Sequence, residues 1–187
     1  MRSSIQPDEH YLTLDEYLRI EDDSTVKHEY LDGIAYAMAG GDDRYSLIAA
    51  NLIHLVRLHS RQGCRPYTSD LKVYIEAINH GYYPDASIVR GEPIFHDRRR
   101  LLLINPIVIV EVLSPTTEKR DRGSKAENYQ LIPSLRELLL ITSDKPRIEY
   151  LRMFDGEWTK GEVRGANSEM IIPSIDCRFK LSELYAH

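Results

Sequence analysis

Cysteine is scarce in this chain, because Cys64 and Cys177 are the only two among 187 residues. Two cysteines so far apart form neither a disulfide framework nor a zinc-ligand spacing, and a reduced interior is the simplest interpretation. Long apolar runs are also absent, since residues 104–113 and 135–141 are too short to span a membrane. The first ten residues lack the apolar core of a signal peptide. We therefore expect a soluble, cytoplasmic protein with no membrane partner.

Positive charge is not in excess either, because the formal net charge is −5. This value argues against a protein that coats nucleic acid through bulk charge, but a nuclease with a metal-neutralised acidic site stays possible. The basic residues are concentrated locally. Residues 98–100 are three arginines that fit a solvated surface, whereas a second cluster after residue 113 favours function. No helix-turn-helix, zinc finger or long basic arm is apparent in the sequence, so base specificity cannot be read from it.

The pattern of apolar residues predicts one α/β domain over residues 1–187. Helices are expected at residues 14–20, behind a Thr13–Glu16 capping box, and at residues 44–60, 121–131 and 181–185. Strands are expected at residues 27–31, 34–38, 70–76 (with one polar face), 82–89, 104–113, 137–142, 147–154, 157–163 and 170–175, with 91–103 as a loop. The sum is a mixed β-sheet flanked by helices, with additional β-hairpins.

Two acidic residues stand at the ends of apolar strands. Asp85 lies in the segment YYPDASIV, and Glu111 lies in INPIVIVEVLSP. A carboxylate is costly to bury there unless it is paired, hydrogen-bonded or bound to a cation. A basic helix with Lys125 follows, so the three residues indicate a divalent-metal site of the kind that phosphodiester hydrolysis needs. Magnesium prefers oxygen ligands, and the carbonyl of Val112 could add a third oxygen. A lysine ammonium could orient the attacking water.

Other interpretations of these residues stay open at this stage. Asp85 could cap or turn a strand, and Glu111 could pair with a buried arginine. Asp121 and Lys125 are spaced i,i+4 and could form a surface ion pair on a helix. Two further residues, Asp70 and Lys72, form a D-x-K string that could replace the pair of Glu111 and Lys125 or, more simply, support the metal from the same polar face.

Several motifs together resemble one known family. They are Tyr83-Pro84-Asp85, Glu111-Val112-Leu113-Ser114-Pro115, and Asp121-Arg122-Gly123-Ser124-Lys125 with Tyr129. The segments 27–33 and 69–73 are similar as well. This order of motifs resembles the Uma-type family of restriction endonucleases, within the PD-(D/E)xK nuclease superfamily. The resemblance covers about residues 12–184 and implies a restriction-endonuclease-like fold.

The resemblance also implies roles for individual residues. Asp85 would be the aspartate of the PD motif and Glu111 the second acid, with both of them binding the metal. The lysine that usually follows two residues later is missing, because position 113 is leucine. Lys125, from the following helix, matches the lysine that the family recruits instead, and Glu29 matches an auxiliary acid. Members often carry a histidine at the start of the long helix, where this chain has Arg44-Tyr45-Ser46.

The function implied by the resemblance is hydrolysis of DNA phosphodiester bonds with Mg²⁺ or Mn²⁺. Lys125 would orient the attacking water, and Asp70, Lys72, Asp121 and Tyr129 would support the site. Cutting both strands needs two active sites, so a homodimer is expected by analogy, with the hairpin at residues 147–163 as one candidate edge. Two alternatives remain: a catalytically inactive nucleic-acid-binding or regulatory module on the same fold, and a hydrolase of another phosphate ester.

Overall fold

The strands of the computed structural model, which describes residues 11–38, 40–114 and 118–186, form two mixed sheets and a separate hairpin. In chain order they are β1 (His28–Leu31), β2 (Ile34–Ala37), β3 (Cys64–Thr68), β4 (Lys72–Ile75), β5 (His80–Tyr82), β6 (Ala86–Arg90), β7 (Leu102–Leu103), β8 (Val108–Leu113), β9 (Glu137–Thr142), β10 (Arg147–Phe154), β11 (Glu157–Arg164), β12 (Glu169–Ile172) and β13 (Cys177–Lys180). The five-stranded sheet has the order β2-β1-β5-β4-β7, and the six-stranded sheet has the order β11-β10-β9-β8-β6-β3. β12 and β13 pair with each other.

The helices lie outside and between the sheets. They are α1 (Leu14–Asp23), α2 (Asp43–His59), α3 (Glu118–Arg120), α4 (Ala126–Tyr129) and α5 (Leu181–Leu184). A single π-helical turn, Asp121–Lys125, joins α3 to α4, and Gly123 inside it has non-helical dihedral angles. π-Helical turns of this kind are often found at functional sites.

The central strands β8 and β9 of the six-stranded sheet are buried on both faces, as the continuous apolar run in β8 predicts. β8 runs parallel to β9 and antiparallel to β6. One face packs against α2, α5 and the β12–β13 hairpin, for example through Leu52, Val110 and Phe179. The other face packs against α4 and the five-stranded sheet, where Tyr129 and Leu138 lie in one apolar cluster. Residues 109, 111 and 113 of β8 therefore point towards α4 and the second sheet.

α1 covers the outer part of the five-stranded sheet. Tyr17 and Leu18 are buried against Tyr30, Tyr74 and Leu102. The rings of Tyr17 and Tyr30 stack with centroids 4.8 Å apart. The predicted capping box is confirmed, because the Thr13 side chain accepts from the Glu16 N–H and the Glu16 carboxylate accepts from the Thr13 N–H. The helix continues three residues beyond its predicted end.

The predicted strand at residues 82–89 is wrong in one informative respect. The chain breaks after Tyr82, at the end of β5, and resumes at Ala86 in β6, which belongs to the other sheet. Pro84 lies in the break, where it cannot donate to a ladder and keeps the residue before it out of helical conformation. Asp85 consequently lies at the crossing between the two sheets. Because it belongs to neither strand, the alternation of side chains along a strand does not fix the direction of its carboxylate.

Four other predictions need correction. The 70–76 strand does not have a polar exposed face, because all four residues of β4, including Lys72, are buried. The helix at 121–131 begins earlier and is interrupted by the π-helical turn. The loop at 91–103 contains the short strand β7, and the last strand at 170–175 ends at Ile172, followed by the unpredicted β13. The predicted α/β architecture of mixed sheet, flanking helices and added hairpins is confirmed.

We expect Gly33→Ala to destabilise the fold, because the turn between β1 and β2 needs a left-handed residue there. Gly33 has φ +93°, and a Cβ would lie 2.7 Å from Cδ1 of Tyr11. The expected loss in the free energy of unfolding is about 1–2 kcal/mol, measured by urea denaturation. Gly40→Ala is the matched control, because nothing lies near its Cβ position. Equal stability of the two variants would contradict the expectation.

Candidate functional site

Asp85, at the crossing between β5 and β6, is held by hydrogen bonds to two neighbouring elements. Its Oδ2 accepts from the backbone N–H of Val112 at 2.6 Å. Its Oδ1 accepts from the hydroxyl of Tyr45, in the first turn of α2. The side chain is nearly removed from water, and this burial raises the pKa of Asp85 to about 7, against the opposing effects of the Val112 N–H and the Lys125 ammonium.

Glu111 lies within β8, on the face that points towards α4 and the five-stranded sheet. Its Oε1 accepts from the hydroxyl of Tyr129 at 2.6 Å and lies 2.8 Å from Nζ of Lys125. Burial raises the pKa of Glu111 to about 8, although Lys125 opposes that shift and Asp85 adds to it. The expectation that Glu111 would need a buried cationic partner is met by a lysine rather than an arginine.

Lys125 is the last residue of the π-helical turn, and its ammonium contacts three carboxylates. Nζ lies 2.8 Å from Glu111 Oε1, 3.0 Å from Glu29 Oε1 and 3.9 Å from Asp121 Oδ1. Both Asp121 and Lys125 are buried, so they are not the ordinary surface ion pair that their spacing allowed. Burial alone would lower the pKa of Lys125, but the three carboxylates together raise it well above its usual range.

Glu29 comes to this site from β1 in the other sheet, and its side chain is only 2% exposed. One carboxylate oxygen faces Lys125, and the other accepts from the guanidinium of Arg120. The ring of Tyr82 packs beside both cations, with its centroid 5.5 Å from Nζ of Lys125 and 6.0 Å from Cζ of Arg120. The site thus joins β1, β8, the segment before β6 and the helical segment around Lys125.

The charges of this cluster do not balance within the described residues. Four carboxylates (Glu29, Asp85, Glu111 and Asp121) stand against two cations, Arg120 and Lys125, so two negative charges are left over when all the acids are ionised. Uncompensated buried charge is costly, and either protons or a divalent cation can offset it. Among the described residues, no three His, Cys, Asp or Glu side chains form a ready-made metal cage. The oxygen-only donors suit Mg²⁺, which keeps several waters and needs one or two carboxylates.

The structure does not bring Asp70 and Lys72 to this cluster, contrary to the expectation of a shared polar face. Asp70 precedes β4 in a turn, has a side chain that is 83% exposed, and pairs with Lys27 at 2.6 Å. Lys72 is buried, but its Nζ lies 3.7 Å from Glu21 Oε2 and 5.0 Å from the centroid of the Tyr83 ring. The two side chains do not form the acid–lysine pair that the D-x-K string allowed.

Lys72 belongs instead to a second buried polar cluster around Glu21 of α1. The Glu21 carboxylate accepts from the Tyr83 hydroxyl at 2.5 Å and from the backbone N–H of His28 at 3.1 Å. Nδ1 of His28 lies 2.8 Å from the same carboxylate. His28 precedes Glu29, and Tyr83 lies two residues before Asp85. These bonds therefore fix the backbone at two points from which acids of the first cluster project.

Sequence reasoning did not assign two residues that contact the site. Tyr45 lies where family members often carry a histidine, and the structure gives it a direct hydrogen bond to Asp85. Arg120 was noted only as part of a basic cluster, yet it pairs with Glu29. The absence of the expected histidine marks the segment around Tyr45 as unusual. Glu29, the partner of Arg120, is distant in the sequence, so no local pattern predicts their ion pair.

The fold is a mixed α/β arrangement whose two sheets enclose a cluster of buried acids. A solved structure of "a putative nuclease belonging to DUF820" from Anabaena variabilis superposes with a TM-score of 0.75 and 17% identity, covering 94% of this chain and 98% of that one. At that identity the match shows the fold. The model of the Uma2 family, described as "Putative restriction endonuclease", matches residues 14–182. The chain belongs to the Uma2 family.

Two relatives come from Synechocystis sp., and both are uncharacterized proteins. The protein sll1609 is 34% identical over 163 residues, covering 85% of this chain and 91% of that relative. The protein slr1290 is 36% identical over 177 residues, covering 93% of this chain and 91% of that relative. These relatives share the length of the chain and add no assigned activity. Within the described residues, no helix is both long and apolar enough to cross a membrane.

The raised pKa of Asp85 predicts how the stability of the metal-free protein depends on pH. Between the ordinary pKa of 3.8 and the raised value near 7, the folded state binds the proton more tightly than the unfolded state. The free energy of unfolding should therefore fall as pH rises from 5 to 8, with each unit of pKa difference worth about 1.4 kcal/mol. Urea denaturation in EDTA measures this slope.

Asp85→Asn should make the slope shallower, since the variant has no carboxyl group to titrate at this position, while Glu111, whose pKa is raised to about 8, still contributes a fall in the same direction. Asp70→Asn is the control, because Asp70 is exposed and its pKa is lowered by Lys27. Equal slopes for wild type and Asp85→Asn would show that Asp85 does not hold its proton in this range.

Proposed function

We propose that this protein is a divalent-metal-dependent endonuclease that hydrolyses DNA phosphodiester bonds. The observation that carries the proposal is the excess of buried carboxylate beside a buried lysine, built from β1, β8 and the π-helical turn. Membership of the Uma2 family and the nuclease-like fold support the same reaction class. Restriction-endonuclease-like families generally use divalent metals, and the oxygen donors here suit Mg²⁺ or Mn²⁺.

Asp85, Glu111 and the carbonyl of Val112 are the proposed ligands. Asp85 is already tied to the backbone of Val112 through the N–H of that residue, so the acid and the strand are held together. A bound divalent cation offsets negative charge on phosphate oxygens and lowers the pKa of a bound water. Tyr45 and Tyr129 hold one oxygen of each acid, which limits the orientations that the two carboxylates can adopt.

Lys125 is proposed to orient the attacking water and to stabilise developing negative charge. Because its carboxylate neighbours raise its pKa well above the usual range, the side chain stays protonated and acts as a donor and a cation, not as a general base. Glu29 and Asp121 position the ammonium through their ion pairs with it. Arg120 pairs with one carboxylate oxygen of Glu29, and Lys125 pairs with the other oxygen.

DNA is the proposed partner, and a homodimer is the proposed assembly, because cleavage of both strands needs two such sites. A module that binds nucleic acid without cleaving it is the alternative function on the same fold. The two differ in a direct readout, since only the nuclease converts substrate. We propose the cytoplasm as the compartment of the protein.

Glu111→Gln and Asp85→Asn should each abolish cleavage of supercoiled plasmid and single-stranded DNA in Mg²⁺ or Mn²⁺. Each change removes one anionic ligand while keeping the size of the side chain, so metal affinity measured by calorimetry should fall at least about tenfold. Asp70→Asn is the control, because its side chain is exposed and paired with Lys27 outside the cluster.

Wild type that binds DNA without cleaving it in either metal would favour the inactive binding module. Metal affinity that stays unchanged in both variants would remove Asp85 and Glu111 from the proposed site, even if the protein cleaves DNA.

Lys125→Met should retain metal binding and lose turnover by about 10²–10³-fold, the usual cost of removing one positioned donor that stabilises developing negative charge. The substitution keeps the length of the apolar stem but removes the charge between Glu111 and Glu29. Lys72→Met is the matched control, because Lys72 is equally buried but pairs with Glu21. Cleavage rate under saturating metal is the measurement. If Lys72→Met were the inactive variant and Lys125→Met the active one, the role proposed for Lys125 would be wrong.

A further inference from the structure

Among the described residues, the strand β11 forms one edge of the six-stranded sheet and pairs with β10 alone along its eight residues. An exposed strand edge offers unpaired N–H and C=O groups to another strand. Most side chains of β11 are exposed, with Trp158, Gly161 and Val163 half-buried, and the exposed Phe154 lies at the tip of the same hairpin. This edge is long enough to pair with a second chain.

The hydrogen-bonding pattern of the hairpin shows which residues of β11 are outward-facing, that is, which direct their backbone N–H and C=O groups away from β10. The Met153 N–H donates to the Arg136 carbonyl at 2.8 Å on the β9 side, so the even-numbered residues of β10 bond towards β11. The register pairs Tyr150 with Gly161 and Arg152 with Thr159, which places the backbone bonds of odd-numbered β11 residues towards β10. The outward-facing set is Trp158, Lys160, Glu162 and Arg164.

Only a few registers let two copies of β11 pair antiparallel about a two-fold axis. Because outward-facing groups must meet outward-facing groups, each even-numbered residue has to lie opposite another even-numbered residue. An axis through Lys160 puts two lysines opposite each other, and an axis through Glu162 does the same with two glutamates. Like charges directly opposite are destabilising. An axis through Gly161 instead puts Lys160 opposite Glu162 twice, and Trp158 opposite Arg164 twice.

We propose that β11 is a homodimer interface, with two copies pairing antiparallel about Gly161 to form a continuous twelve-stranded sheet from two six-stranded ones. The two Lys160–Glu162 pairs select this register, and each Trp158 lies opposite an Arg164. Gly161 at the axis has no side chain, and the Tyr150 ring of the same chain fills the space where a Cβ would stand. The proposal does not depend on nuclease activity.

Reversal of one charge tests the register. Lys160→Glu and Glu162→Lys should each convert two attractive pairs into two repulsive pairs and raise the dimer dissociation constant at least about tenfold, measured by sedimentation velocity. The double variant Lys160→Glu with Glu162→Lys should restore dimerisation, since each new glutamate again faces a new lysine. Arg19→Glu is the control, because it makes the same charge change on an exposed residue of α1.

A folding defect would not reproduce the expected pattern, in which both single variants weaken the dimer and the double variant restores it. Glu162 also pairs with Arg147 and Arg164 inside the chain, so Glu162→Lys alone could weaken the hairpin. The double variant carries that same loss, and its recovery of the dimer would isolate the contact between copies. Wild type that stays monomeric up to about 0.5 mM, or a dimer that both single variants leave unchanged, would overturn the proposal.

Discussion

The ammonium of Lys125, held between the carboxylates of Glu111 and Glu29, is the interaction on which the site depends. Glu29 belongs to β1 of the five-stranded sheet, whereas Glu111 belongs to β8 of the six-stranded sheet. One side chain from the π-helical turn therefore ties the two sheets together at their shared interior. Loss of either partner would leave a buried charge without compensation, which usually costs more than the pair contributes.

Even with Lys125 in place, the cluster has more negative than positive charge when all its acids are ionised. Arg120 and Lys125 together offset two of the four acids, and burial, with smaller contributions from the neighbouring carboxylates, raises the pKa of Asp85 to about 7 and that of Glu111 to about 8. A divalent ion would do the work of the two protons. The excess negative charge therefore lies beside Val112. The N–H of that residue bonds to Asp85, and its carbonyl is the proposed third oxygen ligand.

Asp85, Glu111 and Lys125 could be read from the sequence because each departs from a local pattern, an acid within an apolar run or a base in the helix after it. The resemblance supplied Glu29, and only the structure shows that Arg120 and Tyr45 reach the same acids. The split of residues 82–89 between two sheets could not be predicted, since sheet membership depends on strand partners far away in sequence. The predicted shared face of Asp70 and Lys72 is not found at the site. Alternation along a strand predicts which face a side chain is on, but it does not predict the ion-pair partner, which for Lys72 is Glu21.

A chain of ion pairs extends from the π-helical turn to the free edge of the sheet. Arg122, between the site residues Asp121 and Lys125, pairs with Glu149 of β10, and Arg147 contacts both Glu149 and Glu162. In the proposed dimer, Glu162 also faces Lys160 of the second copy, so Arg147 shares its partner with another cation. Assembly then shifts the balance of charge on Glu149 and, through Arg122, on the turn that carries Lys125. By linkage, the factor by which dimerisation changes the stability of that turn equals the factor by which a change in the turn alters dimerisation.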